Sequence, residues 1–544
     1  MRVRSGFSQF RTWVAAQAAA CSAAPRGVAG LLVLLGLLAW IFVHVALVPY
    51  LAEDSYIHLR VAEQLVRHGQ PYFNTGEAVK TSSSTPWTLL LGLHFLIAPR
   101  NLRLIAVTSA MIGAASLGSQ LSLLRKMAGR ALAGWEIALI ALVHLGFIHT
   151  ASVAAMETTL ALLFASLGLN AFWSRKPAAF AWLVLAAWTR PELLLLLAGA
   201  ACLAALTRVL PLRSSLRAAA LVALPAVAYE LLSYGTLVPH AAVAKAKVHV
   251  VPLRGVLFQA LPPALMNAVT WDGFLFIGLP LAYFMLATFP LLAAPWSRAR
   301  LSDPSRQVSL LAALTGLGIA ATYITAHGLI FPWYRALYFV PLFLPALAAA
   351  AKSGRAFAYF APLLLALPFA YELGRSCQAA LGRPERFPNF LEGARARRMI
   401  AVAQQLQRSY PGSKLATAEI GALGYGFAGK VLDAAGIASP ELLHYHPLPV
   451  PEERHDPTWA PVPRQLVREL SPELVVSVDR HMDAVLEDPV VERYVHQRLP
   501  LYFPADEARR PPEELLWQSA RYLEVLVRGD IWARNQPPQA GLAQ

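Results

Sequence analysis

Two adjacent carboxylates, Glu53 and Asp54, follow directly after the first long apolar run of the sequence, which extends from Val28 to Val48. Partial shielding from water makes a carboxylate a stronger base toward the proton of a hydroxyl group. The neighbouring carboxylate could position an acceptor or help to hold a divalent cation. A simpler interpretation is that both residues complement the first turn of a helix with the sequence SYIHLRVAEQLVRHG.

Positively charged side chains later in the chain could bind a phosphate group. Arginine binds phosphate through two parallel hydrogen bonds and lysine binds it as a point charge. The alternative is that these long side chains reach toward lipid headgroups. For Arg335 the flanking Trp333 and Tyr334 favour a binding partner. The phosphate-binding candidates are Lys80, Arg190, Lys245 and Arg335.

Glu157 and Glu192 each stand at the start of an apolar segment. They either complement the helix dipole or reach into the same site as the cations, and the sequence leaves both interpretations open. Tyr334 belongs to a group of aromatic residues that suit stacking on a sugar ring or anchoring at the membrane interface. Glu157 and Tyr334 are therefore further substrate-binding candidates.

Histidines, cysteines and carboxylates are the residue types that could hold a metal ion. His58, His240 and His327 share no spacing of the i, i+4 type, so no zinc site is predicted, and His240 is instead a substrate-binding candidate. The three cysteines match no metal motif. A bound Mg²⁺ or Mn²⁺ would have to use Glu53 and Asp54.

The composition places these residues in a membrane protein. The chain has 544 residues, 56% of them hydrophobic and 15% charged, which is too apolar for a soluble domain of this length. The net charge of +15 comes from short Lys and Arg clusters between apolar runs, so nucleic-acid binding is not predicted. About eleven spans are long enough for roughly 30 Å of hydrocarbon. They are 28–50, 103–124, 132–150, 157–173, 178–190, 192–210, 216–233, 273–296, 308–329, 334–351 and 356–373.

The basic clusters fall in alternate connections, which predicts that those connections and the N-terminal segment 1–27 are cytoplasmic. The transmembrane module is then 28–373, with a large first outer loop at 51–102 that contains a short interfacial helix at 87–98. Residues 374–544 would form an extracytoplasmic α/β domain, because KLATAE, KVLDAAG and ELVVSVD are typical of strands. All the candidate site residues collect on the outer face in this arrangement.

Several segments, taken in order, resemble the GT-C superfamily of membrane glycosyltransferases, which use polyprenyl-phosphate sugars as donors. They include EDSYIHLRVAEQLVRHGQPYFNTGEAVKTSSSTPWTLLL, AMETTLALLFASL, TRPELLLL, YGTLVPHAAVAK, WYRALYFVPLFLPALAAAA and ATAEIGALGYGFAGKVLDAAGIASPEL. Within that superfamily the chain resembles bacterial enzymes that add arabinofuranose or related sugars to envelope glycans. It departs from their pattern where Glu53 replaces an aspartate, where Ala155 and Leu193 replace glycines, and where His240 replaces an asparagine.

The resemblance implies an inverting glycosyltransferase of the bacterial inner membrane. Asp54 would be the base with Glu53 beside it, and Lys245 and Arg335 would face the phosphate. The partners would be a polyprenyl-phosphate sugar and a hydroxyl acceptor on an envelope glycan, lipid or protein. Members of the superfamily differ in metal use, so a divalent cation stays open.

The main alternative is a transporter or flippase for a lipid-linked sugar, which would also need a basic cavity lined with aromatic residues. Alternating access normally places polar residues at both faces and often involves an internal repeat. The sequence has neither a repeat nor a matching inner cluster. A non-catalytic envelope-assembly protein would account for the C-terminal domain and would leave the polar first loop unexplained.

Overall fold

The structure of the protein, a computed structural model, describes residues 26–248, 302–326, 330–384, 387–454, 460–502 and 520–535. Most of these residues are helical. The α-helices are α1 Arg26–Leu47, α2 Glu53–His68, α3 Thr85–Ile97, α4 Leu102–Ala128, α5 Gly134–Val153, α6 Thr158–Trp173, α7 Ala179–Thr189, α8 Leu194–Thr207, α9 Leu212–Tyr234, α10 His240–Val248, α11 Pro304–Thr325, α12 Arg335–Ser353, α13 Phe360–Leu381, α14 Pro388–Ser409, α15 Ala422–Gly426, α16 Arg464–Leu470, α17 Asp483–Leu486 and α18 Gly529–Arg534. The strands are β1 Leu415–Thr417, β2 Val431–Asp433, β3 Leu474–Val478, β4 Tyr494–Pro500 and β5 Tyr522–Arg528.

Within the described ranges, five helices are long and apolar enough to cross a membrane: Leu102–Ala128, Gly134–Val153, Leu212–Tyr234, Pro304–Thr325 and Pro332–Ser353. A sixth crossing results if the bent pair Leu34–Tyr50 and Glu53–His68 is one span. The protein is therefore a multi-pass membrane protein of mainly helical structure.

The predicted count of eleven spans is not confirmed. The predicted span 273–296 lies outside the described residues, and each of the other ten overlaps a helix. Three of those helices, α6, α7 and α8, are apolar but short. Ala179–Thr189, with 11 residues, would be only about 16 Å long, which is about half the hydrocarbon thickness.

A sharp bend separates α1 from α2. The axes of the two helical segments differ by 87°, and the connection contains a short 3₁₀ turn with Pro49. Ala52, the residue before α2, has extended backbone and no side chain that could cap the helix. Helix α2 therefore starts in a new direction, with Glu53 and Asp54 in its first turn.

Small residues allow helices of the membrane bundle to approach closely. At Gly316 on α11, an added Cβ would lie 2.5 Å from the Cγ atom of Leu342 and 2.8 Å from the carbonyl oxygen of Tyr338, both on α12. Gly168 on α6 faces Leu183 on α7 in the same way, at 2.5 Å. Close backbone approach of this kind is a common source of helix association in membranes.

The C-terminal part contains one five-stranded sheet with the strand order β2-β1-β3-β5-β4. β1 pairs in parallel with β2 and β3, while β5 is antiparallel to both β3 and β4. The three strands predicted from KLATAE, KVLDAAG and ELVVSVD are confirmed as β1, β2 and β3. β4 and β5 were not predicted.

The C-terminal part of the chain that contains the sheet, called the sheet part below, shares one apolar core with the preceding helical membrane part. Its buried side chains include Tyr56 and Leu59 on α2, Trp87 on α3 and Leu423 and Phe427 from the sheet part. Helix α2 is therefore packed on both sides, and its position is set by the sheet part as well as by the bundle.

Candidate functional site

Asp54 and Lys245 form an ion pair at the start of α2. The Nζ atom of Lys245, on α10, is 3.0 Å from Oδ2 of Asp54, and the side chains are 22% and 16% exposed. A pair shielded to this extent is less screened by solvent than a surface pair. Burial disfavours the charge of Lys245, but Asp54 and Tyr334 more than offset this effect, so the pKa of Lys245 is raised.

Glu53 lines the same cavity as Asp54 and contacts the sheet part of the molecule. One of its carboxylate oxygens accepts a hydrogen bond from the backbone N–H of Ala422 at 3.0 Å. The backbone N–H of Glu53 donates in turn to Oε1 of Glu392 at 2.9 Å, which satisfies one of the unpaired donors at a helix start. Burial raises the pKa of Glu392, and Arg395 opposes that shift.

Aromatic rings surround the Asp54–Lys245 pair on the bundle side. The Nζ atom of Lys245 lies 4.3 Å from the centroid of the Phe331 ring and 3.5 Å from the Tyr334 hydroxyl. The guanidinium of Arg190 stacks over the same Tyr334 ring at 4.3 Å. Two predicted cations, Lys245 and Arg190, therefore meet at one predicted aromatic residue.

Arg190 is buried between two carboxylates. It donates to Oε1 of Glu157 at 2.6 Å and also pairs with Glu192. His58, on α2, lies 3.3 Å from the other oxygen of Glu157, and Ser83 donates to Glu157 at 3.0 Å. Glu157 therefore connects α2, the Ser/Thr-rich loop and the segment that carries Arg190.

Lys80 lies in a second buried cluster. Its Nζ atom is 2.9 Å from Oε2 of Glu230 on α9 and donates to the carbonyl oxygen of Leu237 at 3.0 Å. Thr85 and Trp188 donate to the other oxygen of Glu230 at 2.6 and 2.7 Å. The backbone N–H of His240 donates to the carbonyl oxygen of Lys80 at 3.0 Å, so His240 starts α10 beside Lys80.

Arg335 is a buried side chain at the start of α12. The charged and phenolic groups that influence it electrostatically are Glu372 and Tyr338. The structure therefore places Arg335 in a polar group inside the bundle, directly after Tyr334 in the chain. His327, one of the outward histidines, lies outside the described residues.

A cavity of about 290 Å³ opens between α2 and the sheet part. Asp54, Lys245 and Phe331 line it on the membrane side, and Glu392 and Glu419 line it on the sheet side. Sequence reasoning did not identify Phe331, Glu392 or Glu419. No sequence spacing relates these three residues to Asp54. The only available signal for a place in the candidate site was that they are acidic or aromatic.

The described residues contain no group of three or more His, Cys, Asp or Glu side chains arranged to hold a metal ion. Glu53 and Asp54, the predicted metal ligands, are adjacent in the chain but face different partners, Ala422 and Lys245. The geometry of these two residues therefore does not form a shared cation site.

Comparisons with known proteins give a distant likeness in structure. No protein-family model matches the sequence, and no curated protein matches it. Among solved structures, the chain is similar to the crystal structure of ArnT from Cupriavidus metallidurans in the apo state, with 14% identity and a TM-score of 0.48. The match covers 94% of this chain and 99% of that chain. At this level the likeness assigns no role to any residue.

Proposed function

We propose that the protein is an inverting glycosyltransferase of the GT-C type. It would move a sugar from a polyprenyl-phosphate donor to a hydroxyl group of an envelope glycan, lipid or protein, at the outer face of the bacterial inner membrane. The observation that carries the proposal is the contact of Asp54 with Lys245 at the wall of a 290 Å³ cavity. A base and a cation of this kind are what the transfer reaction needs at its two ends.

On the acceptor side, Asp54 is the proposed general base. The hydroxyl oxygen of the acceptor forms a bond to the anomeric carbon of the sugar while its proton passes to the Asp54 carboxylate. The bond between the anomeric carbon and the phosphate oxygen breaks with inversion. Polyprenyl phosphate then leaves with the electron pair.

On the donor side, Lys245 is the proposed phosphate ligand. Its charge persists through the neutral pH range because its pKa is raised, so it can stabilise the negative charge that grows on the leaving phosphate. Arg190 stacks over the Tyr334 ring while it pairs with Glu157 and Glu192, so its proposed role is to position Tyr334 beside Lys245. Arg335, Lys80 and His240 are also proposed to bind the substrates, at positions outside the Asp54–Lys245 contact.

The ion pair also suggests how donor and base cooperate. Before the donor binds, the ammonium group of Lys245 contacts the Asp54 carboxylate at 3.0 Å and occupies the oxygen that would accept the proton of the acceptor. A donor phosphate would compete for the ammonium group of Lys245. Asp54 would then be available for the acceptor hydroxyl only when the donor is in place.

The test is transfer of sugar from a polyprenyl-phosphate sugar to an envelope extract by the purified full-length protein. Asp54→Asn should lower the rate at least about a hundredfold, the usual contribution of a general base. Asp530→Asn is the matched control, since Asp530 is an exposed partner of Arg528 far along the chain. A near wild-type rate in Asp54→Asn would refute the assignment of the base.

A further inference from the structure

The carboxyl ends of the three parallel strands open onto the same cavity as Asp54. Ala418 and Glu419 follow β1, Ala435 follows β2, and Arg480 and His481 follow β3. In open α/β sheets, ligands bind in the crevice outside the carboxyl ends of parallel strands. The cavity therefore has two walls of different origin, one from the membrane bundle and one from the sheet.

Glu419 is fixed at this edge by three contacts. Ser477 donates to one of its carboxylate oxygens, and Nδ1 of His481 lies 2.6 Å from the other. Its backbone N–H donates to the hydroxyl of Thr417 at 3.0 Å. His481 and Ser477 hold the pKa of Glu419 below its usual value, although burial opposes them. A carboxylate held in this way is a rigid acceptor of hydrogen bonds.

The sheet wall carries balanced charge. Glu392 and Glu419 are acidic, Arg395 and Arg480 are basic, and His481 pairs with Glu419. Glu53 from α2 also lines the cavity, and its carboxylate accepts from the backbone N–H of Ala422. A wall that carries both signs offers hydrogen-bond acceptors and donors without favouring a ligand of either net charge. The apolar side chains Ile420 and Ile437 also line the cavity and suit the C–H faces of a sugar ring.

We infer that the sheet wall is the acceptor subsite, and that it recognises a neutral, polyhydroxylated sugar unit through Glu419 and His481. This inference rests on the proposed function, because it places the acceptor opposite the base Asp54. The inference limits the possible acceptors to molecules in which the glycosylated hydroxyl group belongs to a sugar unit or is next to one.

Binding can be measured separately from transfer. Methyl α-D-glucopyranoside and methyl α-D-mannopyranoside serve as neutral probes, and glucose 6-phosphate and glucosamine serve as charged ones. Saturation-transfer NMR is recorded on the purified full-length protein in a detergent without a sugar head group. The neutral probes should give the stronger saturation transfer.

Glu419→Gln should weaken binding of the neutral probes at least about tenfold, because hydrogen bonds to a charged group are lost. Glu469→Gln is the matched control, since Glu469 pairs with Tyr445 away from the cavity. If Glu419→Gln lowers the melting temperature, His481→Gln provides the decisive measurement. Wild-type binding by both variants, or stronger binding of the charged probes, would overturn the subsite.

The transfer assay separates this inference from the proposed function. Glu419→Gln should raise the KM for the acceptor and leave the KM for the donor unchanged. Asp54→Asn should keep the binding of the neutral probes and lose transfer. If Asp54→Asn retains transfer, the assignment of the base is wrong and the acceptor subsite is unaffected. If Glu419→Gln leaves the KM for the acceptor unchanged, only the acceptor subsite is refuted.

Discussion

At the scale of single residues, the contact between Asp54 and Lys245 joins positions 191 residues apart in the chain. Tyr334, a further 89 residues along the chain from Lys245, lies close to the same ammonium group. Each of these residues was a candidate from its type and its place beside an apolar run. Their meeting at one point is what joins three separate candidates into one candidate site.

Replacing Lys245 by Ala tests the donor side of this site. We expect the KM for the polyprenyl-phosphate sugar to rise about tenfold or more, because a charge-assisted contact to phosphate is lost. The KM for the acceptor should change much less. Steady-state kinetics with each substrate varied in turn measures both values, and equal effects on the two would contradict a phosphate role.

Lys245→Arg tests whether retained charge is sufficient. The pKa of Lys245 is raised by Asp54 and Tyr334, so the ammonium group stays charged up to and beyond its ordinary range near pH 10.5, as arginine does. A raised pKa also means that the ion pair contributes stability at neutral pH and loses it only at strongly alkaline pH. The pH dependence of the transfer rate should therefore have the same shape for Lys245→Arg and for the wild type between about pH 7 and 9.

The residue-scale chemistry was only partly predictable from the sequence. The residue types at positions 54 and 245 suggested a base and a cation. The partners that tune the site, Glu392 and Glu419, lie more than 300 residues after Asp54. No local period links positions so far apart, so their approach depends on the packing of the whole chain.

At the scale of elements, the position of Asp54 depends on the break before α2. Two glycines, Gly393 and Gly421, pack closely against the backbone at this break. A Cβ on Gly393 would lie 2.3 Å from the carbonyl carbon of Tyr50, and a Cβ on Gly421 would lie 2.0 Å from the carbonyl oxygen of Glu53. Both contacts involve backbone, which cannot move away as a flexible side chain can.

Gly421→Ala should therefore displace the start of α2. We expect a loss of stability of about 1–3 kcal/mol, the usual cost of overpacking, together with reduced transfer activity. Thermal unfolding and the transfer assay measure the two effects. Gly118→Ala is the control, since a Cβ there meets nothing within 4 Å, and a wild-type result for Gly421→Ala would argue against this close contact.

The elements themselves were more predictable than the site. Long apolar runs indicated the helices, and the three buried strands β1, β2 and β3 were found from their short apolar sequences. β4 is an edge strand with several exposed side chains, so it lacks a clear apolar pattern. β5 contains the buried Glu524, which pairs with His496 and Arg498 of β4, and this charge interrupts its apolar run.

At the scale of the whole molecule, Arg60 joins the two parts. It is a buried side chain on α2, and it donates to the carbonyl oxygens of Phe73 at 2.8 Å, Phe427 at 2.5 Å and Gly429 at 3.0 Å. It also donates to the carbonyl oxygen of Gly424. One guanidinium therefore satisfies acceptors on both sides of the junction, a geometry that a lysine cannot reproduce.

Arg60→Lys should loosen the junction while leaving each part folded. Each buried carbonyl left unpaired costs about 1–3 kcal/mol, so amide hydrogen exchange in 422–431 should become faster. Arg67→Lys is the matched control, because Arg67 is an exposed side chain on the same helix that pairs with Glu63. Unchanged exchange in Arg60→Lys would mean that the apolar core alone holds the two parts together.

The contact between Glu53 and Ala422 also limits how this protein could be recombined. The residue that precedes the proposed base is anchored by the backbone N–H of a residue 369 positions later in the chain. In a chimaera whose C-terminal half comes from another sequence, the group that anchors Glu53 would come from that other sequence, while Glu53 and the proposed base Asp54 would not. Swapped halves should therefore work only when residues 50–54, 392–393 and 421–422 are exchanged as a matched set.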